Sequence, residues 1–375
     1  MATAIETRPE SRPLQSTSSL DFRHVRSAAE LHELAESWRA LDAHIATPMQ
    51  TFAWIAACAE TFAPLGELDV IIGWEGNDVV AAAALIAAGG KFGGRRELLN
   101  YYHVYEPADL AFRDAETLAA LANELCEHRR PLFFERVFAA SPTVAAIHSA
   151  AVGASRVIGR PQAATPWIGL NESWAAPEQK LSSRRRSDYR RACKNAEQIG
   201  AVRMESHSPD PDEVDRLLDV AFDVERRSWK GRTGTALADD RAGDFYRRYA
   251  RSAAGQRQFR VELLHIGGEV AAVQLAVVHQ NRYWVLKVGY DPQFQRASPG
   301  ILLMVESVKA AVAEGLTTYE LLGTIEPWIQ VWTELERPCV SLRFYPGNWR
   351  GAAALAGDLL ANARRRMARK ENCHR

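Results

Sequence analysis

The residues of this chain best suited to chemistry lie between a predicted strand and a predicted helix. Positions 295–300 read Gln-Arg-Ala-Ser-Pro-Gly, after a strand predicted at 283–290 and before apolar residues that recur at helical spacing from Leu302. The first turn of a helix directs its N–H groups and the positive end of its dipole at such a loop, which favours a phosphate. The pattern therefore predicts a phosphate-bearing cofactor, contacted by Gln295 and Arg296, rather than a metal or a catalytic thiol.

Composition bounds the class of protein. The 375 residues suffice for two domains, and 46 basic residues balance 46 acidic ones, so the whole chain has no general attraction to nucleic acid or acidic membranes. The five cysteines include no C-x-x-C pair, which excludes a zinc ribbon and a redox motif. No apolar run approaches the roughly 20 residues of a membrane span, and the first twenty residues lack the apolar core of a secretory signal. We expect a cytoplasmic protein without a membrane span.

The chain divides into two α/β halves with the same predicted order of elements. Each half has helices, a tight hairpin, a further strand, a helix and another strand, which suggests a duplicated unit. We predict a leader at 1–20, a first domain at 21–158 and a Pro- and Gly-containing linker at 159–177. A second domain at 178–350 and a basic helix or tail at 351–375 follow.

Four segments of the second half resemble the GNAT acyltransferase superfamily, and more narrowly its CelD/BcsL branch, which is associated with synthesis of cellulose and other exopolysaccharides. They are residues 182–200, 225–237, 262–291 and 296–303, and the resemblance covers roughly residues 165–345. The first half resembles a degenerate GNAT-like repeat, with Gln50 and Trp54 in a Gln-x-x-x-Trp pattern. The resemblance implies a mixed α/β fold of tandem GNAT-like domains, each a twisted mixed sheet flanked by helices.

The resemblance also implies an acyltransferase. The acetyl or acyl group would come from an acyl-CoA co-substrate without a metal, and the acceptor would be an amine or hydroxyl of a small molecule or glycan precursor, linked to cellulose-like polysaccharide biosynthesis. Departures from the family pattern include Ser298 in place of a glycine, Pro299, which removes one N–H group from the loop, and Ile329, where relatives carry lysine. The residues expected to hold the cofactor are Gln295, Arg296, Ser298, Gly300 and Ile301.

Direct acyl transfer needs a base for the acceptor and an acid for the leaving thiolate. Glu320, on a strand predicted after the helix, is the first candidate for the base, with a structural strand-end carboxylate as the alternative. Glu225 is the second candidate for the base, and the alternative is a solvated helix residue. Tyr345 is the candidate acid, and the alternative is a packed aromatic side chain.

Candidate acceptor contacts lie within the cofactor-side strand, at its end, and in a Gly-containing segment that could close over a substrate. Lys287 is predicted to share a face of its strand with Val285 and Gly289, against Leu286. Asp291 precedes a proline, so it has a turn-organising alternative. The candidate acceptor contacts are Trp229, Lys230, Lys287, Tyr290 and Asp291.

Two further interpretations stay open. The basic helix predicted at 182–199 is either a solvated face or a polyanion site, and the second option suits a FemABX-type enzyme that takes its donor from aminoacyl-tRNA. The departures from the family pattern at Ser298, Pro299 and Ile329 also suit a GNAT-fold module that binds a ligand without catalysis.

Overall fold

The computed structural model describes residues 20–63, 67–88, 94–99, 104, 106–228 and 241–373. Its helices are α1 Ala28–His32, α2 Ala35–Asp42, α3 Phe52–Phe62, α4 Ala115–Glu127, α5 Pro142–Ala150, α6 Ser183–Ile199, α7 Val214–Arg227, α8 Arg241–Gly255, α9 Pro299–Ala313 and α10 Trp349–Cys373. Its strands are β1 Asp21–Val25, β2 Glu67–Glu75, β3 Asp78–Ala88, β4 Arg95–Leu98, β5 Ala111–Phe112, β6 Leu132–Phe138, β7 Arg156–Gly169, β8 Val202–His207, β9 Phe259–Ile266, β10 Glu269–His279, β11 Arg282–Tyr290, β12 Thr318–Glu320 and β13 Glu336–Tyr345.

These strands form one 13-stranded mixed sheet in the order β1-β2-β3-β4-β6-β13-β7-β12-β11-β10-β9-β8, with β5 paired to β3. Each half repeats one motif: a hairpin, an antiparallel neighbour, then a crossover helix that leads to a parallel strand. The motif is β2-β3-β4-α4-β6 in the first half and β9-β10-β11-α9-β12 in the second. The mixed α/β fold with tandem GNAT-like halves is thereby confirmed.

The halves are joined through an exchanged strand. β13, from the end of the second half, lies between β6 and β7, and β7 pairs with both β13 and β12. The segment predicted as a linker at 159–177 is therefore largely β-strand. Its glycine and prolines indicated a linker, yet Pro161 and Pro166 sit in β7, and a register shift falls between their partners on β13. Prolines are tolerated in sheets at such irregular positions.

Aromatic packing also unites the halves. Trp54 on α3 meets Phe245 and Tyr249 on α8, with ring centroids 4.8 and 4.7 Å apart in edge-to-face geometry. All three rings are fully buried in one apolar cluster that draws on both halves. Edge-to-face pairs add a specific contribution to the apolar area that they bury. Trp54, matched to the family pattern from sequence, is thus a core residue at the junction of the halves.

A buried ion network anchors β13 and α10. Arg343 donates to Glu135 on β6 at 2.7 Å and to Asp358 on α10, and Asp358 also accepts the Tyr345 hydroxyl at 2.6 Å. The charged groups are nearly inaccessible to solvent. Each charge is therefore compensated only while all partners are present.

We predict that Arg343→Met destabilises the protein by about 3–5 kcal/mol, because it leaves two buried carboxylates without their cation. Guanidinium unfolding followed by circular dichroism measures the change. Arg39→Met is the matched control, since it breaks only the exposed pair with Glu36, and it should stay within about 0.5 kcal/mol. Equal effects of the two substitutions would contradict the anchoring role of the network.

Candidate active site

The strands β11 and β12 pair only briefly and then diverge. Their last paired residues are Trp284 and Glu320, after which β11 continues to Tyr290. The chain leaves β12 through Leu322 and Gly323, whose φ angles of 50° and 54° lie in the left-handed region. Within the described part of the chain, the edge of β11 beyond Trp284 has no strand beside it. On this side, the backbone N–H and C=O groups of the rest of β11 therefore have no strand partner among the described residues.

A β-bulge shapes the floor of the opening. Leu275 on β10 lies opposite Lys287 and Ala276 lies opposite Val285, so Leu286 is an extra residue. The Lys287 ammonium lies 5.6 Å from the ring centroid of Tyr246 on α8. Tyr246 and Leu286 belong to one apolar cluster, so Lys287 and Leu286 lie on the same side of β11. The prediction that Lys287 shares a face with Val285 against Leu286 is wrong, because the extra residue breaks the strand's alternation.

The predicted phosphate loop borders the opening. A 3-10 helix at Pro292–Ala297 leads into Ser298, a left-handed residue with φ of 45°, and α9 follows. The Ser298 carbonyl already accepts the Ile301 N–H at 3.0 Å, and Pro299 has no N–H. The loop therefore has fewer backbone donors than an ordinary helix start, so the exposed side chains of Gln295 and Arg296 must supply most of an anion's contacts.

The two equivalent crossover helices begin differently. Asp114 caps α4: its carboxylate accepts the Thr117 N–H at 2.9 Å and completes a capping box. Ser298 makes no side-chain cap bond to α9. The first turn of α4 is thus capped by a carboxylate of its own chain, whereas Ser298 gives the first turn of α9 no such cap.

Glu320 is buried at the end of β12 and is held by an ion pair. Arg337 donates to both of its carboxylate oxygens, at 2.9 and 2.6 Å, and the Thr318 hydroxyl donates at 2.9 Å. The Arg337 guanidinium in turn lies 4.3 Å from the ring centroid of Trp167. Because both oxygens are occupied, this geometry favours the structural alternative over the general-base role that the sequence suggested.

Tyr345 lies far from the opening. On β7, Arg156 pairs with Tyr345 and Trp167 pairs with Glu320, so the two predicted catalytic residues are roughly 35 Å apart at about 3.3 Å per residue. Burial and the hydrogen bond to Asp358 raise the pKa of Tyr345. The structure contradicts its assignment as the thiolate acid and gives it a role in anchoring α10.

Glu225 is the predicted base that the structure does bring to the opening. It lies in the last turn of α7 in a buried position, with only 5% of its surface exposed, so the solvated alternative is wrong. A methyl group added at Gly289 would lie 3.8 Å from Glu225, so the helix and β11 are in close contact there. Glu225 and Lys287 line one recess together with Phe222 on α7.

The remaining predicted acceptor contacts lie at the end of β11. Tyr290 is exposed, whereas Asp291 is buried and accepts the Gln293 N–H at 2.9 Å and the Arg227 guanidinium at 2.6 Å. Asp291 thus has the turn-organising geometry that the sequence offered as the alternative. Trp229 and Lys230 lie outside the described residues.

Sequence reasoning missed a clamp supplied by the first half. Arg136 on β6 donates to the Gly323 carbonyl, and also to the Ala163 carbonyl at 3.3 Å. The Gly323 N–H donates to the carboxylate of Glu106, whose pKa is raised by burial. The turn that ends β12 is therefore fixed by two charged residues of the other half. No local motif marks either residue, because their partner lies about 200 residues away in the chain.

One group of potential metal ligands occurs among the described residues. Ligand atoms of His24, Glu124 and His128 lie within 4.8 Å of one another, between β1 and α4 in the first half. Burial lowers the pKa of both histidines, and the positive charge of Arg96 lowers it further. The same charge opposes a cation, and the group belongs to neither the loop nor the opening.

Residues 183–329 match the family model described as an acetyltransferase (GNAT) domain. This match covers most of the second half of the chain. The matched region includes the loop, the opening and Glu225, so acyltransferase-type chemistry is supported at this place in the fold. The narrower CelD/BcsL type stays a prediction.

Solved structures extend the likeness of fold to the whole chain. The C-terminal domain of a protein assigned as lysylphosphatidylglycerol synthetase from Agrobacterium fabrum has a TM-score of 0.56 at 12% identity, covering 88% of this chain and 97% of its own. FemX has a TM-score of 0.54 at 12% identity, covering 87% and 97%. L-PGS from Bacillus licheniformis has a TM-score of 0.52 at 11% identity, covering 83% and 91%. A search of the curated proteins finds no match. Among the described helices, none combines the length and the apolar character that crossing a membrane requires.

We predict that Glu320→Gln and Arg337→Met each cost about 1.5–3 kcal/mol of stability, because each breaks a charge-assisted pair that contains the buried Glu320 carboxylate. The double substitution should cost less than the sum of the two, as expected for residues in direct contact. Thermal or denaturant unfolding of the four proteins measures the coupling. Glu326→Gln is the control, because the Glu326 carboxylate accepts a bond from the exposed Trp328 ring N–H and belongs to no buried pair. Strict additivity would contradict the ion-pair role.

Proposed function

We propose that this protein binds acyl-CoA at the opening between β11 and β12 and transfers the acyl group to an amine or hydroxyl acceptor. The observation that carries the proposal is the coincidence of two features at one place. Among the described residues, no strand pairs with the edge of β11 beyond Trp284, and the same strand leads through the 3-10 helix to the start of α9, where Ser298 makes no cap bond. CoA would use both features. The amide groups of its pantetheine arm can bond to the strand edge, and the pyrophosphate at the far end of that arm can bind at the start of the helix.

The loop supports the pyrophosphate end of this arrangement. Arg296 and Gln295 are exposed at the start of α9, where a guanidinium can form charge-assisted bonds to phosphate. Asn195 on α6 donates to the Arg296 carbonyl at 2.7 Å and so fixes the backbone of the loop. Gly300 is exposed in the first turn, and its lack of a side chain permits close approach of a phosphate.

The opening supports the chemistry. With the arm laid along β11, the thioester carbonyl would lie near the bulge, where a backbone N–H can stabilise the oxyanion that forms on attack. A buried carboxylate at the recess can take the acceptor's proton. The acceptor's nitrogen or oxygen then bonds to the carbonyl carbon, and the C–S bond breaks with its electron pair on the CoA thiolate. The link to polysaccharide synthesis stays a prediction from the resemblance.

A second donor is supported by the surface of α6. The helix exposes a basic face beside the loop, which suits the sugar-phosphate chain of an aminoacyl-tRNA and the FemABX-type alternative. The exposed basic residues are Arg184, Arg185, Arg190, Arg191 and Lys194.

We predict micromolar binding of acetyl-CoA and CoA, measured by isothermal titration calorimetry. Arg296→Ala should weaken it about 10- to 100-fold, the value of a charge-assisted phosphate contact. Gly300→Ala should also weaken binding while keeping the melting temperature, because no atom lies within 4 Å of the added methyl group. Arg39→Ala on α2 is the control for a lost surface charge. Absence of binding by the wild-type protein would contradict the proposal.

The aminoacyl-tRNA alternative makes a different prediction. If tRNA carries the donor, fluorescence anisotropy should show tRNA binding whose affinity falls steeply with salt, and charge reversal at Arg190 and Lys194 should remove it. Acyl-CoA as the donor predicts tRNA binding no tighter than that of an unrelated RNA of equal length. Preferential tRNA binding together with no affinity for CoA would replace the lead proposal with this one.

A further inference from the structure

The group of potential metal ligands in the first half lies where the end of α4 meets the edge strand of the sheet. His24 is on β1, Glu124 is in the last turn of α4, and His128 is the C-terminal cap of the same helix. One ligand atom from each lies within 4.8 Å of the other two, and the two imidazole rings meet edge to face with centroids 4.9 Å apart. All three side chains are partly exposed, so an ion can reach them from solvent.

The two α4 residues are spaced for one shared ion. Residues four apart in a helix lie on the same face, one turn from each other. Nε2 of His128 lies 3.1 Å from a carboxylate oxygen of Glu124, close to the roughly 3.3 Å between two ligands of a tetrahedral zinc ion. Yet this Nε2 has no hydrogen-bond partner among the described residues. The two atoms are close but not aligned for a hydrogen bond, an arrangement that a cation between them satisfies.

His24 is oriented by a buried carboxylate. Its Nδ1 lies 2.6 Å from Oδ1 of Asp69 on β2, and the Asp69 side chain is 1% exposed. An ionised carboxylate only accepts hydrogen bonds, so Nδ1 carries the proton and Nε2 of the neutral ring keeps its lone pair. A carboxylate bonded to the far nitrogen is the arrangement that fixes the ring and the tautomer of metal-binding histidines.

Arginine charges oppose a cation here, and the fold offsets most of them. Arg96 is ion-paired with Asp69, and Arg26 is ion-paired with Glu67. The charge of Arg130 also acts on the site. Against it stand the carboxylate of the ligand set and the C-terminal end of α4, where the helix dipole favours a cation.

We propose that His24, Glu124 and His128 bind one Zn²⁺ ion, with Asp69 as the residue that positions His24. Two imidazoles and one carboxylate are a ligand set that zinc accepts, and water takes the fourth tetrahedral position. The ion ties α4 to β1, an edge strand that pairs only with β2 among the described residues. Zinc thereby stabilises the first half, and this role is independent of the proposed acyl transfer.

Isothermal titration with ZnCl₂ tests the site on the full chain, after treatment with EDTA and removal of the chelator. One ion per chain should bind with a micromolar or lower Kd. His128→Ala and Glu124→Gln should each weaken binding about 100-fold, because each removes one of three ligands. His32→Ala is the matched control: His32 also faces a glutamate, Glu60, but belongs to no group of three ligands among the described residues. Its Kd should stay within about twofold of the wild type.

Two further measurements report the geometry and the role of the ion. Co²⁺ in the same site should give the intense visible absorption of tetrahedral coordination rather than the weak absorption of octahedral coordination. Zn²⁺ at about a hundred times its Kd should raise the melting temperature by about 3 °C or more, and it should slow amide exchange in a peptide that covers β1. Neither effect should occur in Glu124→Gln.

Three results would overturn the zinc site. The first is no binding of Zn²⁺ by the wild-type protein at micromolar concentrations. The second is binding that neither His128→Ala nor Glu124→Gln weakens, because the ion would then be held by other side chains. The third is octahedral Co²⁺ absorption with no protection of β1. Both substituted side chains are partly exposed, so each variant should keep the circular dichroism spectrum of the wild type.

Discussion

The backbone turn at Leu322 and Gly323 is the constraint on which the site depends. Two consecutive left-handed residues carry the chain away from β11, so the parallel pair cannot continue and the sheet opens. The turn is held across the molecule, because Arg136 binds the Gly323 carbonyl and Glu106 accepts its N–H. The shape of the cleft in the second half is therefore set by charges of the first half, and the exchanged strand β13 keeps the halves in one continuous sheet.

The two repeats have diverged at the feature that they share. In the first half, residues 106–110 occupy the neighbourhood of β6: the Ala108 N–H donates to the Arg136 carbonyl at 2.9 Å, and Gln50 donates to the Leu110 carbonyl at 2.5 Å. Asp114 also fills the start of α4. These contacts hold residues 106–110 beside β6, and Glu106 of the same segment accepts the Gly323 N–H at the turn after β12. The first half therefore contributes structurally to the turn in the second half.

The sequence was sufficient for most local structure, because helical and alternating periodicity and Gly-containing turns are local signals. Each half contains the hairpin that was predicted for it, β2–β3 and β9–β10, and the strand, loop and helix around residue 295 lie where predicted. Long-range pairing could not be predicted: the prolines of β7 resembled a linker, and β13 enters the other half. The engagement of Glu320 by Arg337, the distance of Tyr345 and the unpaired oxygen of Glu106 are tertiary facts that no residue type or spacing carries.

Hydrogen exchange of backbone amides, with and without acetyl-CoA, tests most directly whether the cofactor occupies the opening of the second half. An arm laid along β11 predicts slower exchange, by about tenfold or more, in peptides covering residues 285–290 and 295–301. Peptides covering β4 and the start of α4, the equivalent places in the first half, should exchange unchanged. Protection in the first half alone, or none along β11 at a saturating concentration, would contradict a cofactor site between β11 and β12.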